Sequence, residues 1–151
     1  MMKKELTEEI TDHVVRTFNI MFGVDVLRAA SANIAFNDDD LISKVVLYEN
    51  DVHIEIRFAF PRALISPLLL KIYDPIMATH EKVVEDAACE IANIVCNGQK
   101  SKLNDKGYNL EMKIPEICLS FRKDNEASED KLNLNFVLQE FLQQLKLRIL
   151  N

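Results

Sequence analysis

Leu6, Ile10, Val14, Phe18 and Met21 recur at spacings of three and four, which predicts an amphipathic helix over about residues 5–22. Thr7, Glu8 and Glu9 suit its first turn, where carboxylates meet the positive end of the helix dipole, and Gly23 suits its stop. A short strand is expected over 30–36, and Asn37-Asp38-Asp39-Asp40 is a turn signal. Leu41 to Tyr48 is rich in β-formers, Glu49-Asn50-Asp51 marks a tight turn, and Val52 to Phe60 alternates; together they predict a β-hairpin that Pro61 ends. Ser66-Pro67 predicts an N-cap and a first-turn proline, opening a short apolar helix to Tyr73. Asp74-Pro75 repeats the device and opens the longest helix, about 76–103, which Asn104-Asp105-Lys106-Gly107 closes. Strands are expected at about 108–114 and 116–122, then a polar, mobile loop over 122–130. Leu132, Leu134, Phe136 and Leu138 alternate as a last strand, and Phe141, Leu142, Leu145 and Ile149 return to helical spacing, predicting a terminal helix over 138–150.

The pattern shows no internal repeat, no linker and no low-complexity tract. It predicts one α+β domain over 1–151, with its core over about 5–137. The expected architecture is a mainly antiparallel sheet with the long helices packed on one face.

Composition narrows the function classes. A chain of 151 residues, 48% hydrophobic and 28% charged, buries a real core without metals or disulfides. Its net charge of −6 argues against a general nucleic-acid binder. No apolar run approaches the roughly 18 residues of a membrane span. No apolar h-region follows the two lysines of Met1 to Glu5, so no signal peptide is expected. Cys89, Cys96 and Cys118 are odd in number and lack a CxxC pair. Cys89 and Cys96 lie two helical turns apart, roughly 10 Å, too far for a disulfide. A reduced, cytoplasmic protein is the expectation. His13, His53 and His80 fall in separate elements, with no zinc-ligand spacing to the cysteines. Asp38-Asp39-Asp40 lacks the spaced oxygen ligands and glycine of a calcium loop, so it reads as a turn.

On a helical wheel of residues 83–97, Val84, Ala87, Ala88, Ile91, Ile94 and Val95 cluster on one side as the expected buried face. Asp86, Glu90, Asn93 and Asn97 follow one another at steps of four, three and four on nearly the opposite side. Periodicity therefore predicts two carboxylates and two amides in a fixed exposed row. Exposed helix faces are ordinarily polar, so the row by itself assigns no function.

The run Asp86-Ala-Ala-Cys-Glu90-Ile-Ala-Asn93 matches the D/S-x3-E-x2-N signature of the CheC/CheX/FliY phosphatases. Gly98, Lys100 and Leu103, then Lys106-Gly107-Tyr108 and Ile114-Pro115, resemble the CheX-like run that follows it, and Thr17 to Gly23 resembles the end of that family's first helix. The resemblance covers most of residues 10–120. CheC-like members usually carry the signature twice. The first helix here offers Asp12, Arg16 and Asn19 without a glutamate, and a single copy is similar to CheX. Two features depart from the pattern: Asn97 stands where a small residue is expected, with Gly98 shifted by one, and the segment after about 130 is longer.

The resemblance implies a phosphatase acting on the phospho-aspartate of a CheY-like response-regulator receiver domain. It implies a homodimer, no cofactor bound by this chain, and Mg²⁺ supplied by the partner receiver. Asn93 is then expected to orient the attacking water, since an amide both donates and accepts without titrating. Glu90 is expected to pair with the receiver's active-site lysine. Asp86 and Asn97 are the expected docking contacts; for Asp86 a plain solvated helix residue is the equal alternative. Lys100, Lys102 and Lys106 either meet the acidic pocket of the receiver or complement the helix C-terminus. The alternative function is a non-catalytic CheX-like module that binds or sequesters a receiver without dephosphorylating it.

Overall fold

The two apolar runs flanking Glu49-Asn50-Asp51 fold as the expected hairpin. In the computed structural model, which describes residues 2–29, 37–118, 131–138 and 143–150, the elements in chain order are α1 (Met2–Phe22), β1 (Val26–Ala29), β2 (Leu41–Glu49), β3 (Val52–Phe60), α2 (Arg62–Leu69), α3 (Pro75–Thr79), α4 (Glu81–Asp105), β4 (Glu111–Met112), β5 (Glu116–Ile117), β6 (Lys131–Leu138) and β7 (Gln143–Leu150). The register of β2 on β3 runs from Leu41↔Phe60 to Glu49↔Val52. Asn50 turns the chain at φ 42, the left-handed region that asparagine tolerates. The sheet order is β1-β6-β7-β3-β2-β4, with β5 also on β2, and all the pairings are antiparallel.

Period two then sorts the side chains. Leu41, Val45, Leu47, Ile56, Phe58 and Phe60 turn to one face and join a single core with Ile10, Val14 and Phe18 of α1 and Ala88, Ile91 and Val95 of α4. The expected α+β architecture is what the chain adopts, with the long helices on one face. Each buried Phe or Ile contributes roughly 1.5–3 kcal/mol relative to exposure, so α1 and α4 are fixed by their apolar stripes.

Polar contacts also tie those helices together. Lys106 at the end of α4 pairs with Glu5 at 2.6 Å and Glu9 at 2.5 Å, and Gln99 donates to Glu9 at 2.9 Å. Burial pushes the Glu9 carboxyl up, but its hydrogen bonds from Lys106 and Gln99 outweigh that and hold it below its ordinary value. Of the three lysines considered for docking, Lys106 is thus engaged within the fold.

Where α4 meets α1, a Cβ on Gly98 would lie 2.7 Å from Nδ1 of His13. Burial, then the charges of Arg16 and Lys102, hold the His13 pKa below its usual 6.5. The unfolded chain therefore binds this proton more readily. The stabilising contribution of neutral His13 is complete above the unfolded value and is lost as pH falls through it toward the lower folded value. The urea midpoint is expected to drop between about pH 7 and about pH 5, and to drop less in His13→Gln. An equal drop in the variant would remove His13 as the cause.

Four expectations are corrected. Where a terminal helix is expected over 138–150, residues 143–150 form strand β7, paired with β6 on one side and β3 on the other, and residues 139–142 lie outside the described residues. Leu145 and Ile149 satisfy both a period of four and a period of two, and Leu147 decides the matter: all three point into the core at 0%, 3% and 0% exposure for Leu145, Ile149 and Leu147. β7 closes the ladder of β3, whose backbone groups would otherwise line an open edge. The second helix begins at Arg62 rather than at Ser66, with Pro61 as its N-cap and Pro67 inside it. Burial of Leu64, Ile65, Leu68 and Leu69 offsets the hydrogen bond that Pro67 cannot make. The helix expected over 76–103 is two helices, broken at His80 with ψ 125. Of the strands expected at 108–114 and 116–122, the described residues form two short pairings on β2, and residues 119–122 lie outside the described residues. The strand expected over 30–36 and the loop over 122–130 lie outside the described residues.

Asp40 closes its turn by accepting from the backbone N–H of Asn37 at 2.9 Å and approaches Lys146 at 3.5 Å, so the acidic run serves a turn as expected. Among the described residues no group of three or more His, Cys, Asp or Glu is placed to hold a metal. No described helix is long and apolar enough to cross a membrane.

Candidate functional site

The break at His80 gives α4 its own start. The His80 ring accepts from the backbone N–H of Lys82 at 3.2 Å, capping the helix. Val84, Ala88, Ile91, Ala92, Val95, Cys96, Gln99 and Leu103 are buried along one side. Ile94, expected on that side, is instead 40% exposed, and Cys96 takes the inward position. Behind the opposite face, Ser43 Oγ donates to the carbonyl of Ala88 at 3.1 Å, a buried bond between sheet and helix.

The polar row sits where periodicity put it. Asp86, Glu90 and Asn97 are exposed and Asn93 is half-buried. Asp86 is engaged by Lys82 one turn away at 3.2 Å, an exposed i,i+4 pair that contributes little in water. Asn97 Nδ2 donates to Asn93 Oδ1 at 3.5 Å, a long contact that aligns the two amides loosely. Glu90 has no ion-pair partner among the described residues, so its carboxylate is open to a cation from outside.

The sheet edge supplies a facing wall. Met112 pairs with Leu47 and Glu116 with Lys44, so the two registers differ by one residue. The chain between them is a bulge on the edge of β2. Pro115 has no N–H to give to the ladder, which favours the interruption there. The bulge is held by Lys113 N–H on the Val46 carbonyl at 2.9 Å and Cys118 N–H on the Ile42 carbonyl at 2.8 Å. It lifts Ile114 to 88% exposure. Between this wall and α4 lies an open cleft of about 780 Å³, lined on the helix side by Lys82, Glu85, Asp86, Cys89, Glu90 and Asn93. Asn97 is not among its walls.

The row therefore has unequal members. Asn93 and Glu90 share the cleft, Asp86 is paired at its rim, and Asn97 stands outside it. Cys89 is half-buried, and burial, then the charge of Asp86, pushes its thiol up, which makes it a poor nucleophile. Cys96 is fully buried and its thiol is pushed up by burial alone. On α1, Asp12, Arg16 and Asn19 repeat the four-three spacing and line a second cleft with Val24 to Leu27. Arg16 occupies the place that Glu90 holds on α4, so that helix presents a cation where α4 presents a carboxylate. Ile114-Pro115 was legible in sequence as a landmark, but its position opposite Asn93 was not.

A family model described as "Chemotaxis phosphatase CheX" matches residues 42–142. No sequence among curated proteins matches the chain. Among solved structures, the chain is similar to the chemotaxis protein CheX of Vibrio vulnificus, at 16% identity, TM-score 0.76, covering 97% of this chain and 98% of that one. A chemotactic CheC-like protein of Shewanella oneidensis MR-1 aligns at 17% identity and TM-score 0.73, covering 95% of each chain. A Borrelia burgdorferi structure of CheX in complex with CheY, BeF3 and magnesium aligns at 16% identity and TM-score 0.71, covering 95% and 96%.

Proposed function

We propose, from the premise that this chain belongs to the chemotaxis phosphatase CheX family, that it hydrolyses the phospho-aspartate of a CheY-like receiver domain, with Asn93 orienting the attacking water and Glu90 pairing with the receiver's active-site lysine. One observation carries the reading. Of the four polar groups in the row, the open cleft collects an unpaired carboxylate and an amide, and leaves the others paired or outside.

An acyl phosphate hydrolyses when water attacks phosphorus in line with the departing carboxylate oxygen. Such a transition state needs positioning and charge neutralisation more than covalent help. The charge is met by Mg²⁺ and a lysine of the receiver; this chain's part is geometry. The Asn93 amide accepts a hydrogen bond from the water and donates to an oxygen beside it, fixing the attack angle. Glu90 lies one turn earlier on α4, roughly 5–6 Å away at Cβ, close enough for one receiver to meet both. A cation on Glu90 sets the register in which Asn93 faces phosphorus. Within this reading Asp86 is a rim group, a homodimer is the expected assembly and the cytoplasm the expected location.

The test is the decay of a phosphorylated CheY-like receiver with and without the protein. Faster decay supports a phosphatase; binding without faster decay selects a module that sequesters the receiver. Glu90→Ala is expected to weaken receiver binding and turnover together, each by about tenfold, because it removes the register contact rather than the chemistry. Unchanged binding in that variant would leave Glu90 a plain surface residue.

A further inference from the structure

Asp86 and Glu90 are shared walls. On one side of them is the open cleft whose far wall carries Ile114. On the other is an apolar groove of about 220 Å³ walled by Met21, Leu69, Ile72, Tyr73, Met77 and Val83. The groove exists because the chain breaks at Asp74-Pro75 and again at His80, which lays α3 across the start of α4. Its outer side is apolar and open: the groove residues Ile72, Tyr73 and Met77 are 48%, 43% and 42% exposed, and neighbouring Ile76 is 80% exposed. Four large apolar side chains within six residues exceed the singly scattered apolar residues of an ordinary surface, and such patches mark interaction sites.

We infer that this groove is the apolar half of the receiver-docking surface, seating an apolar side chain that stands beside the lysine which Glu90 pairs. The inference rests on the proposed phosphatase reading and adds where the affinity arises. Continuity fixes the occupant. Because Glu90 and Asp86 wall both cavities, a partner whose cation reaches Glu90 lays its neighbouring surface over the groove. Charge agrees: Glu90, which has no ion-pair partner among the described residues, stands on the groove's wall and favours an apolar group flanked by a cation. The division of labour follows from interface physics. Glu90 contributes register and part of the affinity by exchanging water for a cation, and a desolvated apolar anchor adds to it. Met77 adapts to the shape of an inserted side chain, and Tyr73 offers a stiff apolar face with a polar tip.

The experiment measures Kd for a CheY-like receiver held active by beryllofluoride and Mg²⁺, using wild type, Tyr73→Ser/Met77→Gln, Asn93→Ala and Leu27→Gln, the last an exposed apolar residue on β1. The double variant is expected to raise Kd at least about tenfold, with a matching rise in KM for dephosphorylation. Asn93→Ala is expected to keep Kd and lose turnover, and Leu27→Gln to keep Kd. Should the double variant fail to fold by circular dichroism, Ile72→Gln, a groove wall at 48% exposure, carries the same expectation. Equal Kd in wild type and groove variant overturns the inference and leaves the phosphatase reading standing; no binding by wild type overturns both. Sedimentation velocity separates the other occupant: a wild-type dimer that the groove variant dissociates, with Kd unchanged, assigns the groove to a second copy and overturns the inference.

Discussion

Replacing Asn93 with alanine is expected to slow dephosphorylation of a CheY-like receiver about a hundredfold, a loss of about 2.7 kcal/mol of transition-state stabilisation. The size follows from the role. The amide supplies no covalent step, but without it water samples many orientations and few of them are in line with the leaving oxygen. Stability should hardly change, by less than about 0.5 kcal/mol, since the side chain is half-buried and its contact to Asn97 is 3.5 Å long. Single-turnover decay of the phosphorylated receiver, measured beside urea unfolding, tests both halves. Full turnover in the variant would move the chemistry elsewhere, and a large loss of stability would make the assignment uninterpretable as positioning. Binding of the activated receiver should survive, which distinguishes Asn93 from Glu90.

Gly98→Val is expected to destabilise the fold by about 2 kcal/mol through overpacking of α1 against α4. The missing Cβ would stand 2.7 Å, 2.9 Å and 3.2 Å from three ring atoms of His13. A clash with so much of the ring is not relieved by moving the tip of a flexible chain. His13 must change rotamer or the helices must separate, and α1 is tied to α4 by the Lys106 pairs with Glu5 and Glu9. Trimming the ring should release the strain. In a His13→Ala background the same valine should cost at least about 1 kcal/mol less, a coupling between neighbours that denaturant midpoints resolve. Additive losses would show that Gly98 is needed for some reason other than room for His13. The departure noted at Asn97 also gains a physical meaning: the small residue is needed on the side of α4 that meets α1, where Gly98 sits, and Asn97 faces out.

The hairpin, α1 and the direction of the polar row were legible because each depends on residues close in sequence. Period two over Leu41 to Phe60 admits one register about a tight turn. The four-three-four spacing of Asp86, Glu90, Asn93 and Asn97 puts them on one side of any helix. Ambiguity entered where two periods fit the same residues. Leu145 and Ile149 suit a helix turn as well as a strand face, and the strong helix formers between them favoured the wrong reading. Strand β7 won because β3 and β6 each gained a hydrogen-bonded neighbour. In the same way, burial of four apolar side chains in α2 overrode the local signal of Ser66-Pro67, and His80 divided a helix whose pattern reads continuously.

The sequence by itself determined that α4 shows an amide and a carboxylate side by side on an exposed face, and its signature placed the chain beside the CheX-like phosphatases. Those are local facts, set by 3.6 residues per turn and by residue identity. Only the tertiary structure decided which members of the row matter to a cleft. The bulge at Ile114-Pro115 is brought opposite Asn93 by ladder hydrogen bonds to β2, and the groove of Tyr73 and Met77 is brought beside Glu90 by the crossing of α3. Neither juxtaposition is written in any spacing, because contacts between residues far apart in the chain are fixed by how the sheet pairs and how the helices pack on it.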